Sequence, residues 1–339
     1  QSSGSRPPDL QVHFAPGTRS SEMGEFHLQR RLTPGTLNLP NNWDDDERAP
    51  AIHHVELSVP RGTHPDDRLG AGAWGWVYQR LWRSKPVAVK EFHPGISHEQ
   101  CHREIAIMKF LSDMAGHEHI ISLVAVVTKP MLCLVMELCR GGTLHKATRS
   151  TDLDDPGRLA VLRQVASAMA HVHGLGILHR DLKTDNVMMM DPPQPGVVPD
   201  SKICDFGLGK RLVDGNAADT PLMPDGYVPG LWYAPEVARN SEHGRPADVY
   251  AFGVLVSQVA LGLNSLVRRW RPPAISEYIV NRARYYGQEN LVELEVLLGC
   301  CVAALPQRRP NMMTVSRTLQ VAIQLEDIPD LRNTFQVAT

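Results

Sequence analysis

The chain has 339 residues, 42% of them hydrophobic and 21% charged, enough for one large or two smaller packed domains. A formal net charge of −2 gives no broad electrostatic footprint for nucleic acid or an anionic membrane, and no apolar run approaches the ~20 residues that a membrane-spanning helix needs. The first residue is Gln1, not Met, as in a piece of a longer protein whose upstream targeting signals would be out of view.

Residues 1–52 lack sustained periodicity, are rich in Ser, Pro, Gly and Asn, and carry a short acidic run at 44–47; they read as a disordered or linker tail. The texture changes near residue 55. Short β-like runs at 76–78, 87–90, 123–127 and 132–136 flank Gly-rich turns, and one helix is expected over 98–114, with Ile105, Met108 and Leu111 at helical spacing. Strands with a single helix predict a small α+β lobe over residues 53–138.

After Gly141 and Gly142 the pattern turns helical, predicting a second, larger lobe over 139–325 and a C-terminal tail over 326–339. Asp155 reads as an N-cap with Pro156 at the first helical position. Leu159, Leu162, Val165, Met169 and Val172 form the stripe, which Gly174 ends. The Pro-rich stretch 191–201 reads as a surface loop between two short strands. Residues 249–263 are apolar nearly all round, as in a buried helix, and 291–305 reads as another helix. No internal repeat is evident.

None of the six cysteines (Cys101, Cys133, Cys139, Cys204, Cys300, Cys301) forms a CxxC pair. Most lie in apolar runs, which reads as reduced thiols of a cytoplasmic protein. Cys204, directly before DFG, reads as a small core hydrophobe before it reads as a thiol lining a nucleotide site. His117 and His119 invite a zinc reading, but no further ligands stand at metal spacing.

Three short stretches carry chemistry. Gly70-Ala71-Gly72-Ala73-Trp74-Gly75-Trp76-Val77 fits GxGxxGxV; glycines let the backbone turn sharply and bring N–H groups to phosphate oxygens. The motif alone is weak, because it also marks dinucleotide folds. Here it continues not into a helix but into an apolar strand ending at Lys90. A lone ammonium there needs an anion; Glu104, beside the buried stripe of the helix, fits better than Glu99. The third stretch is HRDLKTDN at 179–186, followed by DFG at 205–207. Asp181 suits the proton of an incoming hydroxyl, and Asn186 and Asp205 are the hard oxygen ligands that Mg²⁺ takes.

HRD, then Asn at this distance, then DFG, after a VAVK strand, resembles the eukaryotic protein kinases over about residues 55–325. The resemblance implies an α+β bilobal fold: a small antiparallel β-sheet lobe with one helix, and a larger helical lobe. It implies ATP and Mg²⁺ as cofactors and a protein as substrate. Residues 70–75 would cover the phosphates. Lys90, paired with Glu104, would hold the α- and β-phosphates, Asp181 would orient the hydroxyl, and Lys183 would reach the γ-phosphate. Asn186 and Asp205 would hold the metal. Adenine would lie between Val77 and Ala88 above and Met188 below, with Met136 as gatekeeper and backbone hydrogen bonds from the segment Glu137 to Cys139. His179, Phe206, Met108 and Leu123 would stack into a column joining the lobes. Ala234-Pro-Glu236 and Asp248-Val-Tyr-Ala-Phe-Gly253 match further kinase segments that small-molecule phosphotransferases lack, and Arg309 is the expected partner of Glu236.

Trp82, in the strand after the Gly-rich loop, resembles the tyrosine-kinase-like branch. Lys183 after HRD favours Ser/Thr acceptors, whereas Pro229 and Trp232 resemble tyrosine kinases. Ser/Thr transfer is the preferred reading, with a tyrosine or dual-specificity kinase as the alternative. A pseudokinase scaffold is disfavoured, since Lys90, Asp181 and Asp205 are all kept. Arg180 beside Asp181 wants an anion. Phosphate on Thr220, or second on Tyr227, would meet it and order the loop, unless Asp219 or Asp225 already does. Trp74 and Trp76 are bulky for this loop; covering the phosphates and packing on the lobe are both open readings. The sequence sets no oligomeric state.

Overall fold

The computed structural model describes residues 51–53, 56–59, 64, 68–113, 116–212, 232–239, 244–261, 297 and 299–322. Residues 1–50, Thr220, Tyr227, Pro229 and the expected tail 326–339 lie outside these. In the smaller lobe the strands are β1 (Ala51–His53), β2 (Leu57–Ser58), β3 (Arg68–Ala71), β4 (Gly75–Trp82) and β5 (Lys85–Phe92); helix α1 (His98–Asp113), β6 (Leu123–Lys129) and β7 (Cys133–Glu137) follow. They form one sheet in the order β1-β6-β7-β5-β4-β2, with β3 also on β4. Pairing is antiparallel except at β1, which runs parallel to β6. β1 straddles the boundary expected at 52/53: Ile52 is buried against Val87, Val89, Ala125, Val127 and Val135. Three residues are too few to show a period, which is why composition alone assigned Ala51 and Ile52 to a tail.

The β4–β5 turn holds Arg83 and Ser84 at φ 50° and 61°, the conformation that lets a two-residue hairpin follow the strand twist. The pleat of β5 then sends Val87 and Val89 into one buried layer and Ala88 and Lys90 to the opposite face. Helix α1 starts with a reciprocal cap: Gln100 N–H donates to Ser97 Oγ at 3.2 Å and Ser97 N–H to Gln100 Oε1 at 3.1 Å. Its buried side carries Glu104 among Cys101, Ile105, Met108 and Leu111.

The larger lobe contains α2 (Leu144–Ala147), α3 (Asp155–Gly174), β8 (Ile177–Leu178), β9 (Val187–Met189), β10 (Ser201–Ile203), β11 (Lys210–Arg211), α4 (Pro235–Ala238), α5 (Arg245–Leu261) and α6 (Met312–Ala322). The α3 cap is Asp154, one residue before the expected Asp155. Its Oδ1 accepts from Gly157 N–H at 2.9 Å, while Oδ2 accepts from Gly196 N–H at 2.9 Å in the Pro-rich loop. That loop joins the antiparallel pair β9–β10, as expected. Helix α5 is buried from Ala247 to Val259, and a Cβ at Gly253 would lie 2.7 Å from Val302 Cγ1, so only glycine allows this approach.

The helix expected over 291–305 lies partly outside the described residues; its described part ends at Cys301. Beyond it, Arg309 takes the carbonyl of Ala303 at 2.8 Å through Nε, and grips Glu236 with Nη1 at 2.6 Å and Nη2 at 2.8 Å. This buried bidentate pair ties α4 to the segment before α6. Arg309→Met would strand the Glu236 carboxylate. It is expected to lower the unfolding free energy by about 3 kcal/mol, measured by urea denaturation; an unchanged midpoint would show that the pair is not an anchor.

Candidate active site

The loop after β8 is shaped by a buried carboxylate on α5. Asp248 accepts from His179 N–H at 2.9 Å, from Arg180 N–H at 2.8 Å and from His173 Nε2 at 2.9 Å. Burial alone would raise its pKa. The hydrogen bond and charge of His173, with the His179 contacts, bring it below the usual carboxylate range. The two backbone bonds hold Arg180 at φ +67°, a left-handed conformation that an arginine adopts only where its surroundings enforce it. His179 is fully buried; its Nε2 lies 3.1 Å from Cys204 O and its ring 4.7 Å from that of Phe206. Phe206, Met108 and Leu123, the other residues of the expected column, belong to one core cluster.

Asp181 therefore leaves a fixed loop. Its Oδ2 accepts from Lys183 Nζ at 2.7 Å and from Asn186 Nδ2 at 2.9 Å. Asn186 Nδ2 also donates to Asp181 O at 2.7 Å, and Cys204 N–H returns to Asn186 O at 2.9 Å. These bonds orient the amide so that its oxygen is the group left to act as a ligand. Burial would lower the Lys183 pKa, but Asp181 beside it, with Asp205 and Asp185, raises it and holds the ammonium charged.

On the other side of the cleft, Lys90 Nζ lies 2.7 Å from Glu104 Oε1 and 2.8 Å from Asp205 Oδ1. Glu104 is thus the partner; Glu99 pairs instead with exposed Arg103 at 3.0 Å. Burial works against the Lys90 charge, yet two carboxylates in contact raise its pKa well above the usual lysine value. Asp205, at φ +65°, is pushed up by burial, but Lys90 with His179 and Lys183 together bring it below the usual carboxylate range, and so it stays ionised. An amide oxygen on Asn186 and a carboxylate on Asp205 suit Mg²⁺ shared with phosphate oxygens. Among the described residues no three His, Cys, Asp or Glu side chains form a metal-binding group. His117 and His119 are engaged with Ser167 Oγ and Ser201 O.

The remaining residues expected at the nucleotide lie in the sheet and in the segment after it. Gly70 pairs with Val77 and Ala71 with Trp76, and Gly72 N–H donates to Gly75 O at 2.9 Å, so residues 72–75, with Ala73 exposed, make the turn. A Cβ at Gly75 would meet Glu91 O at 2.2 Å, so that glycine serves sheet packing. Ala88 pairs with Met136, and Met188 bridges to Thr143. Glu137 directs its carboxylate to Ser122 N–H at 2.7 Å and Lys202 Nζ at 3.0 Å, and its own N–H donates to Ser122 O at 3.1 Å. Burial pushes the Cys139 thiol up to about 12 and the Cys204 thiol higher still, as fits inert packing thiols.

The two tryptophans separate. Trp74 turns into the cleft: a Cβ built on Gly207 would lie 3.2 Å from Trp74 Cδ1 and 3.2 Å from Glu104 Oε2. Trp76 stays on the lobe, edge-on to His93 with ring centroids 4.5 Å apart. The sequence also gave no notice of His173 or Lys202, whose partners Asp248 and Glu137 are distant along the chain. Below Asp181 a cavity is lined by Arg180, Leu208, Trp232, Tyr233, Val237 and Ala251, among others. Thr220 and Tyr227, the residues expected to answer Arg180, lie outside the described residues.

Comparison with known proteins places this geometry. The profile of the family described as protein tyrosine and serine/threonine kinase matches residues 63–319. The chain is similar to mitogen-activated protein kinase kinase kinase 10 of Homo sapiens, 34% identical over 246 residues, covering 68% of this chain and 24% of that protein. It is 34% identical over 280 residues to serine/threonine-protein kinase CTR1 of Arabidopsis thaliana, covering 76% and 31%. It is 30% identical over 256 residues to non-receptor tyrosine-protein kinase TNK1 of Mus musculus, covering 71% and 36%. The chain thus spans about a quarter to a third of the length of these relatives.

Proposed function

We propose, from the fact that the chain belongs to the protein tyrosine and serine/threonine kinase family, that it transfers the γ-phosphate of ATP to serine and threonine hydroxyls of protein substrates. The observation that carries this reading is Lys90 bridging Glu104 and Asp205 at 2.7 and 2.8 Å. That bridge requires α1 to lie against the sheet and Asp205 to face the cleft at once, which is the arrangement phosphoryl transfer uses.

In this reading Lys90 binds the α- and β-phosphates, and residues 70–75 cover them. Val77, Ala88, Met136 and Met188 enclose the adenine, with backbone groups at Glu137 and Cys139 reading its edge. Asp181 orients the acceptor hydroxyl and accepts its proton as transfer proceeds. Lys183, 2.7 Å from Asp181, offers its ammonium to the γ-phosphate. Asn186 and Asp205 are the side chains that would hold Mg²⁺, which when bound neutralises phosphate charge. Arg180 would read phosphate on Thr220 or Tyr227. The six free thiols suit a reducing cytoplasm. Among the described residues no helix is long and apolar enough to cross a membrane.

Lys183 beside the base favours Ser/Thr acceptors, in line with the name of the Arabidopsis thaliana relative. Trp232 in the cavity below Asp181 favours tyrosine as the second reading. Transfer from labelled Mg–ATP to generic protein substrates, followed by phosphoamino acid analysis, tests both. Phosphoserine and phosphothreonine are expected. Phosphotyrosine alone would overturn the acceptor assignment, and nucleotide binding without transfer would make the chain a scaffold.

A further inference from the structure

The tip of the Gly-rich loop is tied down by a residue outside every motif named above. His93 stands one position beyond β5 and is half-buried. Its Nε2 lies 2.9 Å from Gly72 O; a carbonyl only accepts, so Nε2 carries the proton. Its backbone N–H donates to Trp74 O at 3.1 Å, and its backbone oxygen accepts from Ile96 N–H at 2.9 Å, which anchors the residue to the segment leading into α1. The ring is held in turn by Trp76 at an interplanar angle of 82°, and Arg68 sits 4.7 Å over the Trp76 ring.

Two carbonyls of the turn, at residues 72 and 74, therefore face His93. In a planar trans peptide the following N–H points the opposite way. The N–H groups of Ala73 and Gly75 are thus turned away from His93, as donors. A free glycine-rich turn would spread over many orientations, and ordering it on binding would subtract from affinity. We propose that His93 is a positioning residue for phosphate binding, which pre-orders residues 72–75 through Gly72 O and Trp74 O so that the N–H groups of Ala73 and Gly75 meet the β- and γ-phosphates. This rests on the ATP reading above and adds to it the residue that sets loop order.

The test is titration calorimetry and steady-state kinetics on the whole chain with Mg–ATP, Mg–ADP and adenosine. His93→Ala removes the imidazole but keeps the backbone bond. It is expected to weaken Mg–ATP and Mg–ADP binding and raise the ATP KM, each by about tenfold, as loss of one hydrogen bond plus added loop freedom implies. Adenosine affinity and kcat should hold, because neither depends on the loop tip. His93→Gln, whose Nε2–H reaches a similar point, should recover most of the Mg–ATP affinity. Equal losses for adenosine and Mg–ATP would assign His93 to general lobe packing and overturn the proposal, as would wild-type Mg–ATP affinity in His93→Ala. If wild type itself binds adenosine and Mg–ATP not at all, the kinase reading falls first and this inference with it.

Discussion

Asp181→Asn is expected to lower kcat by about a thousandfold while leaving Mg–ATP affinity largely intact. Asp181 Oδ2 already accepts from Lys183 Nζ and Asn186 Nδ2, so an asparagine there must point its oxygen at those two donors. Its NH₂ group then occupies the other carboxylate position, and the side offered to the acceptor hydroxyl presents a donor where an acceptor is needed. The loop itself should survive, because its backbone is held by Asp248 and not by the Asp181 side chain. An interaction realised in the transition state alone shows in kcat, and loss of a general base typically costs about 10²–10⁴-fold. Asp205→Asn should behave differently. It removes charge from a group paired to Lys90 and suited to Mg²⁺, so it should weaken Mg²⁺-dependent nucleotide binding. Measuring kcat and Mg–ATP affinity for both variants separates the roles; wild-type turnover by Asp181→Asn would sink the base assignment.

What the sequence makes legible is what repeats or stands close. The pleat around Lys90 and the stripe of α1 are periodic, so a lysine in an apolar strand and the glutamate beside the buried stripe are found without coordinates. HRD and DFG are short and contiguous, and their spacing carries the roles of Asp181, Asn186 and Asp205. The third corner of the Lys90 cluster is another matter. Asp205 is 115 residues from Lys90, and no period or spacing announces that one ammonium serves two carboxylates. His173 and Asp248, 75 residues apart, fail for the same reason: a buried histidine on an apolar helix looks like filler until its partner is seen. The α3 cap slipped from Asp155 to Asp154 because several aspartates run together, and only the Gly157 and Gly196 bonds choose between them. The helix expected over 291–305 shows in the sequence only an apolar pattern, and nothing local in it marks that its described part ends at Cys301. His93 has no local signal at all; its significance lies in two carbonyls across a turn.

Lys90→Met is expected to abolish measurable transfer, and Glu104→Gln to lower kcat/KM by about tenfold. The methionine leaves the carboxylates of Glu104 and Asp205 facing each other without the ammonium between them. Glu104 is only 3% exposed, and its proton affinity is already raised by burial and by Asp205, with Lys90 opposing. Removing Lys90 should therefore drive Glu104 to take up a proton, and both phosphate binding and the seat of α1 are lost together. Glu104→Gln keeps the shape and a hydrogen-bond acceptor for Lys90 but removes one of its two charges. Asp205 then holds Lys90 alone, 2.8 Å away, and can draw it from the phosphate position. Because the second change has no ammonium left to act on in a Lys90→Met background, Lys90→Met, Glu104→Gln should transfer no more slowly than Lys90→Met. The coupling between the two sites, read as free energy from kcat/KM of all four proteins in a sensitive single-turnover assay, should reach about 1–3 kcal/mol. Strict additivity would mean that Glu104 acts through the packing of α1 and not through Lys90, and the bridge at the centre of the site would lose its catalytic meaning.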